Sequence, residues 1–372
     1  MKRRNFLGGV TAAVSALCST GAAWLTKASA GEADVARTSS GAKPAMHVGC
    51  QNGPTTPARL DYFKRHGVDH ICGYPPDPGA RGHWSVDDLK RTKDLCEKHG
   101  VSLDMVALPF LSSSHIDRER RGAIMLGAAG RDQDIEDIQR MIEACAAVEI
   151  PAIKYNMSLL GVLRTESTPG RGGSRYSTWK LAEAKDADKL TRAGHVSADE
   201  AWARITYFLD RVIPVCNQYK VRAACHPHDP GTPPTGFQGI TNVLGTVEGL
   251  KRFVTIQESP HHGLNFCVGT VAEMLQDPRR EICDVVRYFG ERGKIFNIHF
   301  RNIRGRRDDF CETYPDDGDL DMLAVARTLS EVGYPYMLMP DHMPSHADDP
   351  DGSQAFAFGY GYIKGLLQAI AS

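Results

Sequence analysis

Eight short apolar runs, each followed by a stretch with helical patterning, constrain this chain more than any other feature. The runs are Ala45–Gly49, Val68–Tyr74, Val101–Pro109, Pro151–Met157, Val221–Pro227, Leu264–Gly269, Ile295–Asn302 and Tyr336–His342. Near-continuous apolar segments of this length are expected of parallel strands covered on both faces. The intervening stretches are Thr56–His66, Ser85–His99, Asp132–Val148, Ser197–Lys220, Thr246–Phe253, Thr270–Phe289, Leu320–Val332 and Ser353–Ala371. Thr56-Pro57 and Ser85-Val-Asp-Asp88 read as helix starts, because a hydroxyl at the cap accepts from an otherwise orphaned N–H. Gly100, Gly290 and Gly333 follow helical stretches, where a left-handed residue closes the last turn. Alternating strands and helices favour a parallel sheet. The count of eight, with no G-x-G-x-x-G after the first run, predicts a closed α/β barrel, (β/α)₈, over an open doubly wound sheet. Two inserts, 111–131 and 159–196, interrupt the rhythm on the strand-to-helix side. That face carries the active site in such barrels, and long loops there are candidate lids.

The length of 372 residues permits one barrel of about 250 residues with long loops, so residues 45–372 are expected to form a single domain. Residues 1–30 stand outside it. Lys2-Arg3-Arg4 precedes Asn5-Phe6-Leu7, then an apolar stretch rich in small residues, then Ala28-Ser29-Ala30. This pattern predicts a cleaved export signal of the twin-arginine type, with 31–44 as linker and a periplasmic or otherwise exported destination. The twin-arginine export machinery is then a partner, and no stable membrane anchor is expected. Of 10 cysteines, Cys18 leaves with the signal. The rest are spread singly, without a C-x-x-C pair. Export of an already folded chain would let them stay reduced, or let one serve as a metal ligand. A net charge of −1 argues against nucleic acid as a partner, since phosphate binding needs a clustered positive excess.

Chemistry-bearing side chains gather at the ends of the last four runs. Cys225-His226-Pro227-His228-Asp229-Pro230 ends the fifth, and Asn265-Phe266-Cys267-Val268-Gly269 ends the sixth. Asn297-Ile298-His299-Phe300-Arg301-Asn302 ends the seventh, and Met339-Pro340-Asp341-His342 ends the eighth. His226, Cys267, His299 and Asp341 are each about one strand–helix unit apart, so neighbouring strands would aim them into one ring. Alone, a strand-end histidine or cysteine is more often a buried structural residue. Four at matching heights point to a divalent metal. Imidazoles and a carboxylate suit Mn²⁺, Fe²⁺ or Zn²⁺, and a thiolate disfavours Mg²⁺ and Ca²⁺. His342, beside a proposed ligand, is a candidate acid or base, or else a partner of the metal carboxylate. Arg301 is a candidate fork for a substrate carboxylate, or else an ion pair tying its loop.

These motifs resemble those of the mannonate dehydratase family and, more loosely, of the wider xylose-isomerase-like barrels. The matching segments are His226–Pro230, Asn265–Gly269, His299–Asn302, Pro340–His342, Asp316–Asp319 and the stretch from Tyr155-Asn156 to Arg164-Thr165. The likeness runs in order from about Gly49 to Ala369. It implies dehydration of D-mannonate, or a related sugar acid, to 2-keto-3-deoxy-D-gluconate. It implies one Mn²⁺ or Fe²⁺ per chain, held at His226, Cys267, His299 and Asp341. It further implies proton transfer at His342 and substrate contacts at Asn156, Arg164, His228 and Arg301. The family carries a proton-transfer tyrosine in a Gly-Tyr-Gly segment. Anchoring on Gly359-Tyr360-Gly361 makes Tyr360 its counterpart, whereas anchoring on the last helix and Gly365-Leu366 puts that position near Asp351. The first strand, with Cys50-Gln51-Asn52, departs from the family pattern. Two other readings stay open: an exported metal-dependent sugar isomerase or epimerase of the same barrel group, and a sugar-acid binding protein without catalysis. A homo-oligomer is compatible with each.

Overall fold

The apolar runs become strands because their side chains alternate between two apolar environments. The computed structural model describes residues 46–371, so the predicted signal and linker lie outside the described residues. The barrel strands are β1 (His47–Cys50), β2 (His70–Gly73), β3 (Ser102–Ala107), β4 (Ala152–Asn156), β5 (Arg222–His226), β6 (His262–Cys267), β7 (Ile295–His299) and β8 (Met337–Met339). All neighbouring pairs are parallel, and β8 closes on β1. On β4, Ala152, Lys154 and Asn156 share one face by the two-residue period. Ala152 packs inside the barrel with Cys72, Met105, Ala224, Phe296 and Met339. Tyr155, on the opposite face, meets Phe208 at 5.4 Å between ring centroids.

The eight covering helices are α1 (Pro57–Arg65), α2 (Val86–Lys98), α3 (Arg131–Ala147), α4 (Ala198–Tyr219), α5 (Val247–Thr255), α6 (Pro278–Gly290), α7 (Met322–Glu331) and α8 (Ser353–Ala371). Each buries one face on the sheet. Phe208, Phe253 and Phe289 are fully enclosed, and burying a side chain of that size stabilises by about 1.5–3 kcal/mol. The predicted caps form: Thr56 accepts from Arg59, and Ser85 and Asp88 make a reciprocal capping box.

Three local expectations are corrected. The stretch read as one helix over Thr270–Phe289 is two, a short turn at Val268–Ala272 and α6. Pro278 at the first turn of α6 suits a helix start and would break a continuous helix. Gly290 is the last residue of α6, not a left-handed residue beyond it. A Cβ there would collide with Val332 beside α7, so the glycine serves close helix packing. The antiparallel hairpin Asn302–Arg306 with Asp309–Thr313 was not anticipated. Its charged residues and its Arg307-Asp308 turn, with Asp308 at φ 67°, mask the strand alternation.

Both long inserts carry structure. Residues 111–131 include a short helix at Ala123–Leu126, and in 159–196 the strand Thr178–Lys180 pairs with Asp309–Cys311. Asp316, from the matched acidic segment, takes both Arg171 guanidinium nitrogens at 2.7 and 2.8 Å, tying that segment to the insert. No described helix is long and apolar enough to cross a membrane. The nine described cysteines are all free.

Candidate active site

The C-terminal ends of β5 to β8 converge, and with them the last side chains of β5, β6 and β7 and Asp341, two residues beyond β8. Cys267 is level with His299 across β6 and β7, and His299 is level with Met339 across β7 and β8. One ligand atom from each of His226, Cys267, His299 and Asp341 can be chosen so that all lie within 4.8 Å of one another. Cys267 also caps the short helix that follows it, accepting from Thr270 N at 3.3 Å. Its thiol donates to Asp341 Oδ2 at 3.6 Å.

The donor set fits a transition-metal ion. His226 Nδ1 lies 2.7 Å from the Pro227 carbonyl. A carbonyl only accepts, so Nδ1 carries the proton and Nε2 keeps its lone pair. His299 Nε2 lies 3.1 Å from Gln51 Oε1. Asn265 Nδ2 lies equally close to Nε2; in the tautomer that donates to Gln51 the lone pair falls on Nδ1, which is buried without a hydrogen-bond partner and sits 3.3 Å from Asp341 Oδ1. Such orienting bonds to the far nitrogen are characteristic of metal-binding histidines. Burial pushes the Cys267 thiol up and the His226 imidazole down. The thiol is therefore protonated in the metal-free protein, and metal uptake would release its proton.

A second polar group adjoins this one. Arg301 Nη2 reaches Asp229 Oδ2 and Glu273 Oε1, each at 2.9 Å, and Thr270 Oγ1 at 2.7 Å. Its Nη1 meets Glu312, which also pairs with Arg164. Arg164 Nη1 lies 2.7 Å from Asp229 Oδ1. Burial pushes Asp229 and Glu312 upward, but the two guanidinium groups together with His342 outweigh it and hold both carboxyls below their ordinary range. Burial, reinforced by Asp229, raises Glu273 well above its own. Gly269 makes the arrangement possible, because a Cβ there would strike the Arg301 side chain.

His342 bridges the two groups. Its Nδ1 lies 2.9 Å from Glu312 Oε1 and 2.6 Å from Arg301 Nη1, and its Nε2 is 3.9 Å from Asp341 Oδ1. Burial lowers its pKa, yet Asp341 and Glu312 prevail and raise it. A cavity of about 460 Å³ opens above, lined by His226, His299, Asp341, His342, Asn156 and Lys154 among others. A second cavity of about 560 Å³, beside the Asn302–Thr313 hairpin, holds none of these groups.

Several residues singled out in the sequence stand elsewhere. His228 is buried; its Nε2 donates to the Met157 carbonyl at 3.0 Å and its Nδ1 accepts from Leu244 N at 3.3 Å. Neither nitrogen is left for a substrate. Tyr360 is fully buried on α8 against Cys50, with its hydroxyl 2.9 Å from the Cys50 sulfur, and it does not line the cavity. Arg301 and Arg164 spend their guanidinium groups on protein carboxylates and act on the site through them. Asn156 does face the cavity, where its Oδ1 accepts from Lys154 Nζ at 2.8 Å.

Four further residues escaped the sequence reading: Lys154, Glu312, and Gln51 and Tyr74, which line the cavity and share a 2.9 Å hydrogen bond. Lys154 had a signal, since it is a lone charge inside an apolar parallel strand. Glu312 had none, because it arrives on the unanticipated hairpin.

The family model described as D-mannonate dehydratase (UxuA) matches residues 176–372, more than half of the chain. Mannonate dehydratase of Thermotoga maritima is 26% identical over 343 residues, covering 82% of this chain and 91% of that protein. Mannonate dehydratase 2 of Halalkalibacterium halodurans is 25% identical over 354 residues, covering 86% and 98%. Among solved structures, mannonate dehydratase from Streptococcus suis superposes with a TM-score of 0.75 at 24% identity, covering 88% of this chain and 94% of that one. A xylose isomerase domain protein from Planctomyces limnophilus gives a TM-score of 0.55 at 13% identity, covering 88% and 99%. The latter two likenesses speak for the xylose-isomerase-like barrel fold. On the family match, supported by full-length relatives of the same name, the chain belongs to the D-mannonate dehydratase family of hydro-lyases.

Proposed function

We propose that this chain removes water from D-mannonate, or a closely related sugar acid, to give 2-keto-3-deoxy-D-gluconate or its analogue, with one divalent metal, Mn²⁺ or Fe²⁺, per chain. The observation that carries the reading is the convergence of His226, Cys267, His299 and Asp341 within 4.8 Å, with His226, His299 and Asp341 lining the cavity that also holds His342. A divalent ion there would act as a Lewis acid for charge that builds on substrate oxygens as a carbon-bound proton leaves. His342 moves the proton. When its Nδ1 donates to Glu312, Nε2 is the base that takes the C2 proton. The imidazolium so formed, held between Glu312 and Asp341, then returns its Nε2 proton to the departing C3 hydroxyl. Loss of C2–H and C3–OH as one water leaves an enol, which becomes the 2-keto group. Arg164 and Arg301 hold Glu312 ionised and in place for this exchange.

The test is incubation of Mn²⁺- or Fe²⁺-loaded protein with D-mannonate, followed by NMR in heavy water. Formation of a 2-keto-3-deoxy acid supports the reading. Deuterium entering C2 without loss of water would make the chain an isomerase or epimerase, and neither change would make it a binding protein. We also propose export through the twin-arginine route, read from Lys2-Arg3-Arg4. Free cysteines throughout the described residues suit a protein that folds before export. Retention of an Arg3→Lys, Arg4→Lys variant in the cytoplasm would support it, and unchanged export would sink it.

A further inference from the structure

Lys154 is the feature of the cavity that the proposed proton transfer leaves unused. It sits on β4, within the barrel, and only 8% of its surface is exposed. Its ammonium donates to Asn156 Oδ1 at 2.8 Å. It forms no salt bridge among the described residues, whereas Arg164 and Arg301 are each paired with several carboxylates. Among the described residues lining the cavity it is the only lysine or arginine. An ammonium can donate three hydrogen bonds. A buried cation with one neutral partner is costly unless an anion completes its shell. The nearby carboxylates are engaged elsewhere: Asp229 with Arg164 and Arg301, and Asp341 beside His299 and Cys267. Burial accordingly lowers the Lys154 pKa, and an anion brought by a ligand would supply the counter-charge that restores the ammonium.

We propose that Lys154 anchors the carboxylate of the sugar-acid substrate, with Asn156 holding the ammonium in place, and so selects acids over neutral sugars. This rests on the sugar-acid reading of the cavity but does not require that the acid be dehydrated. It also gives a use to a position at which an apolar strand would otherwise carry an aliphatic side chain.

The experiment compares binding of two unreactive ligands to the Mn²⁺-loaded protein by calorimetry. One is the 3-deoxy analogue of mannonate, which has no C3 hydroxyl to lose, and the other is its primary amide. Wild type should bind the acid about 10- to 100-fold more tightly than the amide, the range expected of a charge-assisted hydrogen bond. Lys154→Met should erase most of that preference while keeping the metal content and the cooperative melt. Lys154→Arg should retain part of it. A Lys154→Met protein that still prefers the acid as wild type does would overturn the proposal. So would a wild type without preference, a result that needs no variant and covers the case of a Met substitution that does not fold. Should D-mannonate not be turned over while the preference persists in wild type and vanishes in Lys154→Met, the dehydration reading fails and the anchor stands.

Discussion

The mouth of this barrel holds two adjoining polar groups built on opposite principles. Around Arg301, opposite charges pair with one another: two guanidinium groups meet three carboxyls, and the arginine is almost wholly buried, although Arg301 Nε, Glu273 Oε2 and Glu312 Oε2 keep no hydrogen-bond partner. Around His299, lone pairs and a thiol face one another instead, and the ring nitrogen nearest Asp341 has no hydrogen-bond partner. A buried network that supplies its own counter-charges positions its members, even though Asp229, Glu312 and His342 within it also bring ligand atoms within 4.8 Å of one another. Buried lone pairs that converge from several residues are stabilised by a cation placed among them, and that is the chemistry of a metal site. Asp341 and His342 stand where the two meet.

The comparison breaks first at Arg301. Arg301→Leu leaves Asp229 and Glu312 short of a counter-charge, and should cost about 3–5 kcal/mol of stability, read from urea unfolding of the metal-free protein. A loss below about 1 kcal/mol, the worth of an exposed pair, would mean that the network is not the structural half. Cys267→Ser probes the other half in the reverse sense. Serine can keep the bonds to Thr270 and Asp341, so metal-free stability should change by about 1 kcal/mol or less. Metal retained after dialysis should fall about tenfold or more, since an alkoxide is a poorer ligand than a thiolate at neutral pH. Metal content equal to wild type would remove Cys267 from the ligand set. Tyr360→Phe belongs to neither group and should have the smallest effect. Loss of its contact with Cys50 is worth about 1 kcal/mol, and turnover of D-mannonate should be unchanged. A well-folded Tyr360→Phe protein that loses turnover would return that hydroxyl to the chemistry.

The barrel and the candidate quartet were legible early because both are written in local patterns. Each strand is an apolar run, most helix starts carry a hydroxyl or proline, and each proposed ligand stands at or just beyond the end of its own strand. His228 shows where that legibility stops. It lies two residues from His226 in the same motif, yet one ring keeps a free lone pair while the other is spent on two backbone groups. Nothing in the local sequence separates them, because the carbonyl of Met157 and the amide of Leu244 come from distant loops. The burial of Tyr360 was illegible for a similar reason, since which face of α8 packs against β1 depends on how that helix lies across the barrel.

By itself, then, the amino-acid sequence determined the order of strands and helices, the closure into a barrel, and the candidate ring of donors at one end. The periods of side-chain burial and the spacing of one strand–helix unit do not depend on anything outside the segment. Only the tertiary structure decided which cations are spent and which are free. Arg301 looked available and is consumed by carboxylates from the helix turn after β6 and from the hairpin after β7. Lys154 went unnoticed and, among the described residues lining the cavity, is the lysine without a carboxylate. Charge compensation inside a barrel is set by distances between segments far apart in the chain, and those distances exist only once the sheet has closed.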